Sequence, residues 1–348
     1  MYLKSVNYFR AIAIMFIVLG HSYNLGASSQ YFYQEVLKSL ITGGTALFVF
    51  ISGFMFHHVF FNKFEYYGFM KGKVNNVLFP YLILSSLAIF SLWALNKGAF
   101  GQNFDVTFFG AGDIAAVTVM KYYLTGNHMG PYWYIPFVML VFLCSPAYIK
   151  FIKSSVKERI LVLIVSFVIS LFCHRPEHNI NPVHSLFYFN FFYLFGILYS
   201  QYKEKLFSCF KGKELPLLVG VIFFAAIAVD RGETGNYAKG FFVYGGVDLM
   251  LMQKTLLILF FMSFLRRFEH SDLKVLDIIA STSFAVFFFH PWFISLFVSF
   301  SKKIDYPMES WLVYFIASFC VLLCSIGSAI IVKSLFKGSR STRMLIGY

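Results

Sequence analysis

Charge is what this 348-residue sequence has least of. Asp, Glu, Lys and Arg together make up 13% of it, whereas 59% is hydrophobic. A water-soluble domain of that composition would lack the polar surface needed to stay dissolved, so a soluble globular class is excluded. Cysteine is scarce too. The five (Cys144, Cys173, Cys209, Cys320 and Cys324) are odd in number, mostly inside or beside apolar runs, and lack metal-ligand spacing. A disulfide framework and a zinc site are thereby excluded, which leaves these cysteines as packing residues. No small-residue cleavage site follows the first apolar run, which begins just after Lys4 and is long enough to span. It is therefore expected to be a retained helix. Linkers, internal repeats and low-complexity tracts are missing as well. Basic residues outnumber acidic ones 29 to 16, for a net charge of +13, yet they form no basic domain. Nucleic acid is thus not expected as a partner, and membrane topology is the better explanation of the excess.

What the sequence does have is apolar runs of roughly 18 to 25 residues, the length that crosses a ~30 Å hydrocarbon core. They place about ten membrane helices, at 7–25, 42–61, 77–95, 131–149, 159–174, 184–201, 215–230, 243–265, 275–299 and 310–333. Alternate connections differ sharply in Lys and Arg, 20 against 8, and the richer set contains both chain ends. The fold class expected is an all-α polytopic integral membrane protein with cytoplasmic N- and C-termini. Residues 1–348 read as one transmembrane domain with no appended soluble domain. The longest connection, 96–130, contains a weakly amphipathic stretch at 106–124 that suits an interfacial or re-entrant element.

Titratable groups at membrane depth cost several kcal/mol, so each needs a reason. Arg10 and His21 are eleven residues apart. At ~100° per residue that is about three full turns, with a rise of ~16 Å, so both side chains share one helix face. An anionic head held by the guanidinium and a long thin arm ending in a reactive acyl group at the imidazole would suit this layout, and coenzyme A thioesters have that shape. Taken singly, Arg10 also reads as a snorkelling, topology-setting cation, and His21 as a histidine satisfied by a neighbouring helix. His57 and His58 read as snorkelling side chains at the end of the second helix. Asp248 and Lys254 are about 240° apart on the eighth helix and need not pair; the lysine must meet a carboxylate, a carbonyl or a bound anion. Asp277 suits a helix N-terminus. His290 precedes Pro291, which frees a backbone carbonyl one turn earlier, and broken helices at membrane depth often line cavities.

Five segments then carry a resemblance. Tyr8-Phe9-Arg10-Ala11-Ile12-Ala13 with His21 eleven positions after the arginine is similar to the opening of the membrane-bound acyltransferase family 3 proteins. Leu47-Phe48-Val49-Phe50-Ile51-Ser52-Gly53-Phe54 resembles that family's second-helix run. The basic stretch from Phe69 through Lys71, Lys73 and Asn76 to Pro80-Tyr81 resembles its approach to the third helix. Tyr132-Trp133-Tyr134-Ile135-Pro136 resembles the start of its fourth, and 283–291 resembles its late segment ending His-x-Pro or, here, His290-Pro291. The five occur in the family's order and span residues 8 to 291. Two positions depart. The family usually has an acid three residues before the arginine, where Asn7 stands. Its Arg-x-x-Arg reads Lys73-x-x-Asn76, which keeps charge for phosphate but loses the bidentate fork.

The resemblance implies transfer of an acyl group, usually acetyl from acetyl-CoA, to a hydroxyl of a glycan, in a bacterial inner (cytoplasmic) membrane. It makes acyl-CoA the co-substrate, without a metal. A cell-surface polysaccharide such as lipopolysaccharide or exopolysaccharide, or a lipid-linked saccharide precursor, would be the acceptor, and membrane lipids the surroundings. His21 would act as general base or transient acyl carrier, with Arg10. Arg10, Lys71 and Lys73 would hold CoA phosphates. Trp133, Tyr134 and His290 would meet the acceptor, although the two aromatics read equally as interfacial anchors. The His-x4-Asp signature of glycerolipid acyltransferases is absent. A transporter or flippase for lipid-linked sugars also accommodates ten helices and buried charge, but no internal hydropathy repeat supports it.

Overall fold

A computed structural model describes residues 3–95, 115–241, 243–303, 310–336 and 339–348. Part of the 96–130 connection, and with it positions 106–114 of the amphipathic stretch, lies outside the described residues. The described chain is almost wholly helical, as it must be where no water is present to satisfy backbone N–H and C=O groups. The first helices are α1 (Lys4–His21), α2 (Phe32–Ile41), α3 (Gly44–Met55), α4 (Tyr66–Lys73), α5 (Phe79–Leu95) and α6 (Ala115–Thr125). Next come α7 (Tyr134–Leu143), α8 (Ser145–Lys153), α9 (Val156–Cys173), α10 (Pro182–Gln201) and α11 (Lys203–Phe210). The last are α12 (Glu214–Asp230), α13 (Leu249–Arg266), α14 (Lys274–Lys303), α15 (Trp311–Leu335) and α16 (Ser339–Ile346). Two short strands, β1 (Arg175–Pro176) and β2 (Ala238–Lys239), pair in parallel with Arg175 opposite Ala238 and Pro176 opposite Lys239.

Each of the ten apolar segments overlaps a helix, with altered ends. The segment expected at 243–265 starts at Leu249, because Gly246 adopts φ +91° and the Asp248 carboxylate caps the helix through the Leu251 N–H at 3.0 Å. The one expected at 131–149 is two helices bent by 52°, with Pro146 opening the second. Five stretches among the described residues are long and apolar enough to cross a membrane. The number rises to seven if the bent pairs α7–α8 and α11–α12 each count as one span. This is a multi-pass membrane protein. Helices α1, α9 and α10 fall outside those seven: Arg10 and His21 interrupt α1, His184 and Asn190 interrupt α10, and Lys157, Glu158 and Arg159 charge the first turn of α9. Helices α1 and α10 are interior, so lipid does not demand an all-apolar surface of them.

Helix α1 runs through the centre, packed against α3, α13, α14 and α15, with Tyr8, Phe9, Ala11, Ala13 and Ile14 fully buried. No side chain of its own caps its start. The Glu269 carboxylate, from the turn after α13, accepts instead from Lys4 N at 2.9 Å and Ser5 N at 3.2 Å, which anchors the helix end by a tertiary contact. The tightest crossing is α3 on α10. A Cβ at Gly53 would fall 2.0 Å from the Tyr193 carbonyl oxygen, and one at Gly196 would fall 2.1 Å from that of Phe50. The glycine of the Ser52-Gly53 motif therefore has a packing reason: only a missing side chain lets the two backbones meet. Outside, Leu161 and Ile164 of α9, Val219 and Phe223 of α12, and Phe319 and Leu323 of α15 are exposed, as lipid-facing residues are.

The two charged residues at the start and within α13 find separate partners. Lys254 meets carbonyls: its Nζ donates to Leu40 O at 2.9 Å and Ser39 O at 3.3 Å, capping the end of α2. Asp248, besides its cap, faces His174 Nδ1 at 3.8 Å.

Candidate active site

The three-turn spacing on α1 separates two sets of polar residues. At one end the Arg10 guanidinium donates to Asn7 Oδ1 at 3.0 Å, and Asn7 Nδ2 donates to Asp277 Oδ1 at 2.7 Å. The amide has one acceptor and one donor group, so it can relay between a cation and a carboxylate that do not touch directly. The acid missing at position 7 is thus supplied from α14. Two clefts open here. One is lined by Asn7, Arg10, Ile51, Met55, His58 and Val59 among others, and has a volume of about 140 Å³. The other is lined by Asn7, Arg10, Asp277, Ile278 and Ser281. His58 and Val59 belong to a π-helical turn, Phe56–Phe60, a geometry that recurs at functional sites.

Lys71 and Lys73 line neither cleft. Lys71 is exposed. The Lys73 ammonium lies over the rings of Phe142, Phe60 and Phe69 at 4.4, 4.8 and 5.1 Å from their centres, so its charge is held in an aromatic cage.

At the other end, His21 is the last residue of α1 and is solvent-accessible. Among the described residues neither of its ring nitrogens has a hydrogen-bond partner. The ring of His290 is 5.5 Å away, centre to centre, tilted by 47°. His290 is fully buried and folds back on its own helix, with Nδ1 2.9 Å from the Val286 carbonyl oxygen. A carbonyl only accepts, so Nδ1 carries the proton. In the neutral ring Nε2 is then a bare acceptor, buried and without a partner among the described residues. Pro291 removes the N–H that the Phe287 carbonyl would receive. The loop before α7 stitches the same region, since Tyr132 donates its hydroxyl to Phe288 O at 3.0 Å and receives Trp292 Nε1 at 3.2 Å.

That loop also carries the aromatic pair singled out in the sequence. Gly126, at φ +71°, lets its backbone lie against Tyr132 and Trp133, where a Cβ would come within 2.4 Å of both. A Cβ at Gly130 would lie 4.0 Å from His21 Nδ1. Tyr134 is half-buried, edge-on to Phe137 and Phe287. Trp133 is buried, stacked on Phe189, with the Arg175 guanidinium 4.9 Å above its ring centre. The structure thus joins His21 with His290, sets Gly130 of the loop that leads to Trp133 and Tyr134 against His21, and leaves Arg10 at the far end of the helix. Arg175 went unnoticed in the sequence because it lies in a short connection, where it counted only as a topological charge. Among the described residues no group of three His, Cys, Asp or Glu side chains is placed to hold a metal ion.

Comparison with known proteins agrees with the resemblance: residues 3–330 match the family of the acyltransferase domain. No curated protein and no solved structure matches the chain.

Proposed function

The chain belongs to the acyltransferase 3 family and is a membrane acyltransferase, and from that premise we propose an O-acyltransferase of the bacterial inner membrane. It moves acetyl, or a similar short acyl group, from acyl-CoA to a hydroxyl of a cell-surface polysaccharide or a lipid-linked glycan precursor. The observation that carries this reading is the single helix α1. It ends in His21, which has no hydrogen-bond partner among the described residues and lies beside His290, and ~16 Å away it presents Arg10 on a cleft. In this reading ten helices span the bilayer and both termini are cytoplasmic, by the Lys and Arg bias. Arg10, held by Asn7 and Asp277, receives the CoA head. Lys71 and Lys73 add positive charge on that side, and the acyl arm runs along α1.

His21 takes the proton of the acceptor hydroxyl, or carries the acyl group transiently. His290, with its free Nε2, orients the imidazole or the acceptor. Trp133 and Tyr134 shape the acceptor side. The test gives purified protein radiolabelled acetyl-CoA and cell-envelope glycan, with His21→Ala in parallel. Label should reach the glycan with the native protein alone. Normal transfer by the variant would remove His21 from the chemistry. Absence of both CoA release and label transfer with the native protein would favour a transporter.

A further inference from the structure

Arg175 is a cation at 6% exposure, and burying a charge is costly unless something negative meets it. Among the described residues nothing does so as an ion pair. Its Nε donates to Asn179 Oδ1 at 2.9 Å and one Nη donates to Asn236 Oδ1. Both partners are neutral amides, which fix the direction of the guanidinium without cancelling its charge. The nearby carboxylate of Asp248 is engaged with His174 and with the start of α13. Below, the guanidinium rests on Trp133 and, at 5.8 Å, on Phe189. Two sides are thus strapped and one is stacked, while the remaining Nη edge has no protein acceptor among the described residues.

The backbone next to it is strained. His174 has φ +55° and ψ 179°, a region that side-chain-bearing residues rarely enter, and it is held there by a contact of its Nε2 with the Gly246 carbonyl at 2.8 Å. The β1–β2 ladder then fixes Arg175 opposite Ala238. Strain tolerated in this way sets a side chain where relaxed backbone would not put it.

Arg175 is set on the loop that packs against His21. The loop that carries Gly130 against His21 carries Trp133, three residues on, under Arg175. Three residues of chain reach at most ~10 Å, which bounds the backbone separation of the glycine that meets His21 from the tryptophan that carries Arg175.

We propose that Arg175 is a catalytic residue of the acyl-transfer site, its open guanidinium edge binding the acyl carbonyl oxygen where negative charge develops. This rests on the acyl-transfer reading above. The acceptor oxygen bonds to the carbonyl carbon while its proton passes to the His21 imidazole. The carbonyl electron pair moves onto the oxygen that faces Arg175. Collapse restores the C=O bond and breaks the C–S bond, and the imidazole returns its proton to the leaving CoA thiolate. A donor already fixed in direction costs no reorganisation at the moment charge appears, and the loss of one such donor typically costs about 10²–10³ in kcat.

The test measures label transfer from radiolabelled acetyl-CoA to cell-envelope glycan by purified Arg175→Met and Arg175→Lys, with thermal unfolding of each. The expected result is a fall in kcat of about 10²–10³-fold for Arg175→Met, with KM for acetyl-CoA and for glycan moving less than about threefold. Arg175→Lys keeps the charge without the fork and should recover part of the loss. Should Arg175→Met fail to fold, Asn236→Ala removes a single strap from an exposed position and should lower kcat by a smaller factor at unchanged KM. Native-like kcat in Arg175→Met, or in Asn236→Ala where that variant replaces it, would overturn the proposal; so would a loss residing wholly in the KM for glycan. A native protein that neither releases CoA nor labels glycan would instead overturn the acyl-transfer reading itself, and this inference with it.

Discussion

Gly53→Ala is the perturbation whose size the structure states most directly. The added Cβ would lie 2.0 Å from the Tyr193 oxygen and 2.8 Å from its carbonyl carbon, whereas real Cβ atoms essentially never approach closer than 3.0 Å. The obstruction is backbone of α10, not the end of a flexible side chain, so α3 and α10 must part by about 1 Å. Overpacking of a core usually costs 1–3 kcal/mol, and two rigid helices in direct contact put this case at about 3 kcal/mol. For a chain of this size that is a fall in melting temperature of roughly 4–8 °C. Gly196→Ala meets Phe50 O at 2.1 Å across the same crossing, so separation forced by one substitution relieves the other. The double variant should therefore lose less than the two singles added together, with a coupling of about 1 kcal/mol or more. Thermal unfolding of the four proteins in one detergent closes the cycle. Unchanged melting in Gly53→Ala, or strict additivity of the pair, would refute the direct backbone contact.

Three further outcomes follow from the polar contacts. Asp277→Ala removes the carboxylate that holds Asn7, and a hydrogen bond to a charged group is worth about 1.5 kcal/mol or more, so CoA should bind about tenfold more weakly in a titration; equal affinity would detach Asp277 from the donor end. Lys254→Met keeps the length of the side chain but strands the last carbonyls of α2, and should cost about 1–3 kcal/mol in unfolding; no loss would mean that those carbonyls find other donors. His290→Phe keeps a buried ring and deletes the bare Nε2, and should reduce acetyl transfer at near-native melting temperature; native-like turnover would leave His290 as packing alone.

Periodicity and hydropathy were enough to read a multi-pass helical protein with Arg10 and His21 on one face of its first helix. The reason is local: rise and rotation per residue depend on the α-helix and not on what surrounds it. The motif order was enough to read the family for the same reason, since it is written along the chain. What the linear reading left open was settled by contacts across the fold. Asn7 looked like a loss until Asp277, 270 residues away, proved to complete the relay to Arg10. Lys254 had three possible partners, and only the folding of α2 against α13 selected carbonyls. Lys73 keeps its charge but spends it on three phenyl rings that no spacing rule connects. Arg175 was one positive charge in a loop; the strained turn at His174, the two asparagines and the Trp133 shelf made it a buried, aimed cation. Such groups are invisible in sequence because their meaning is their neighbours. The neighbours are chosen by helix packing, which joins residues at distances along the chain that no local pattern records.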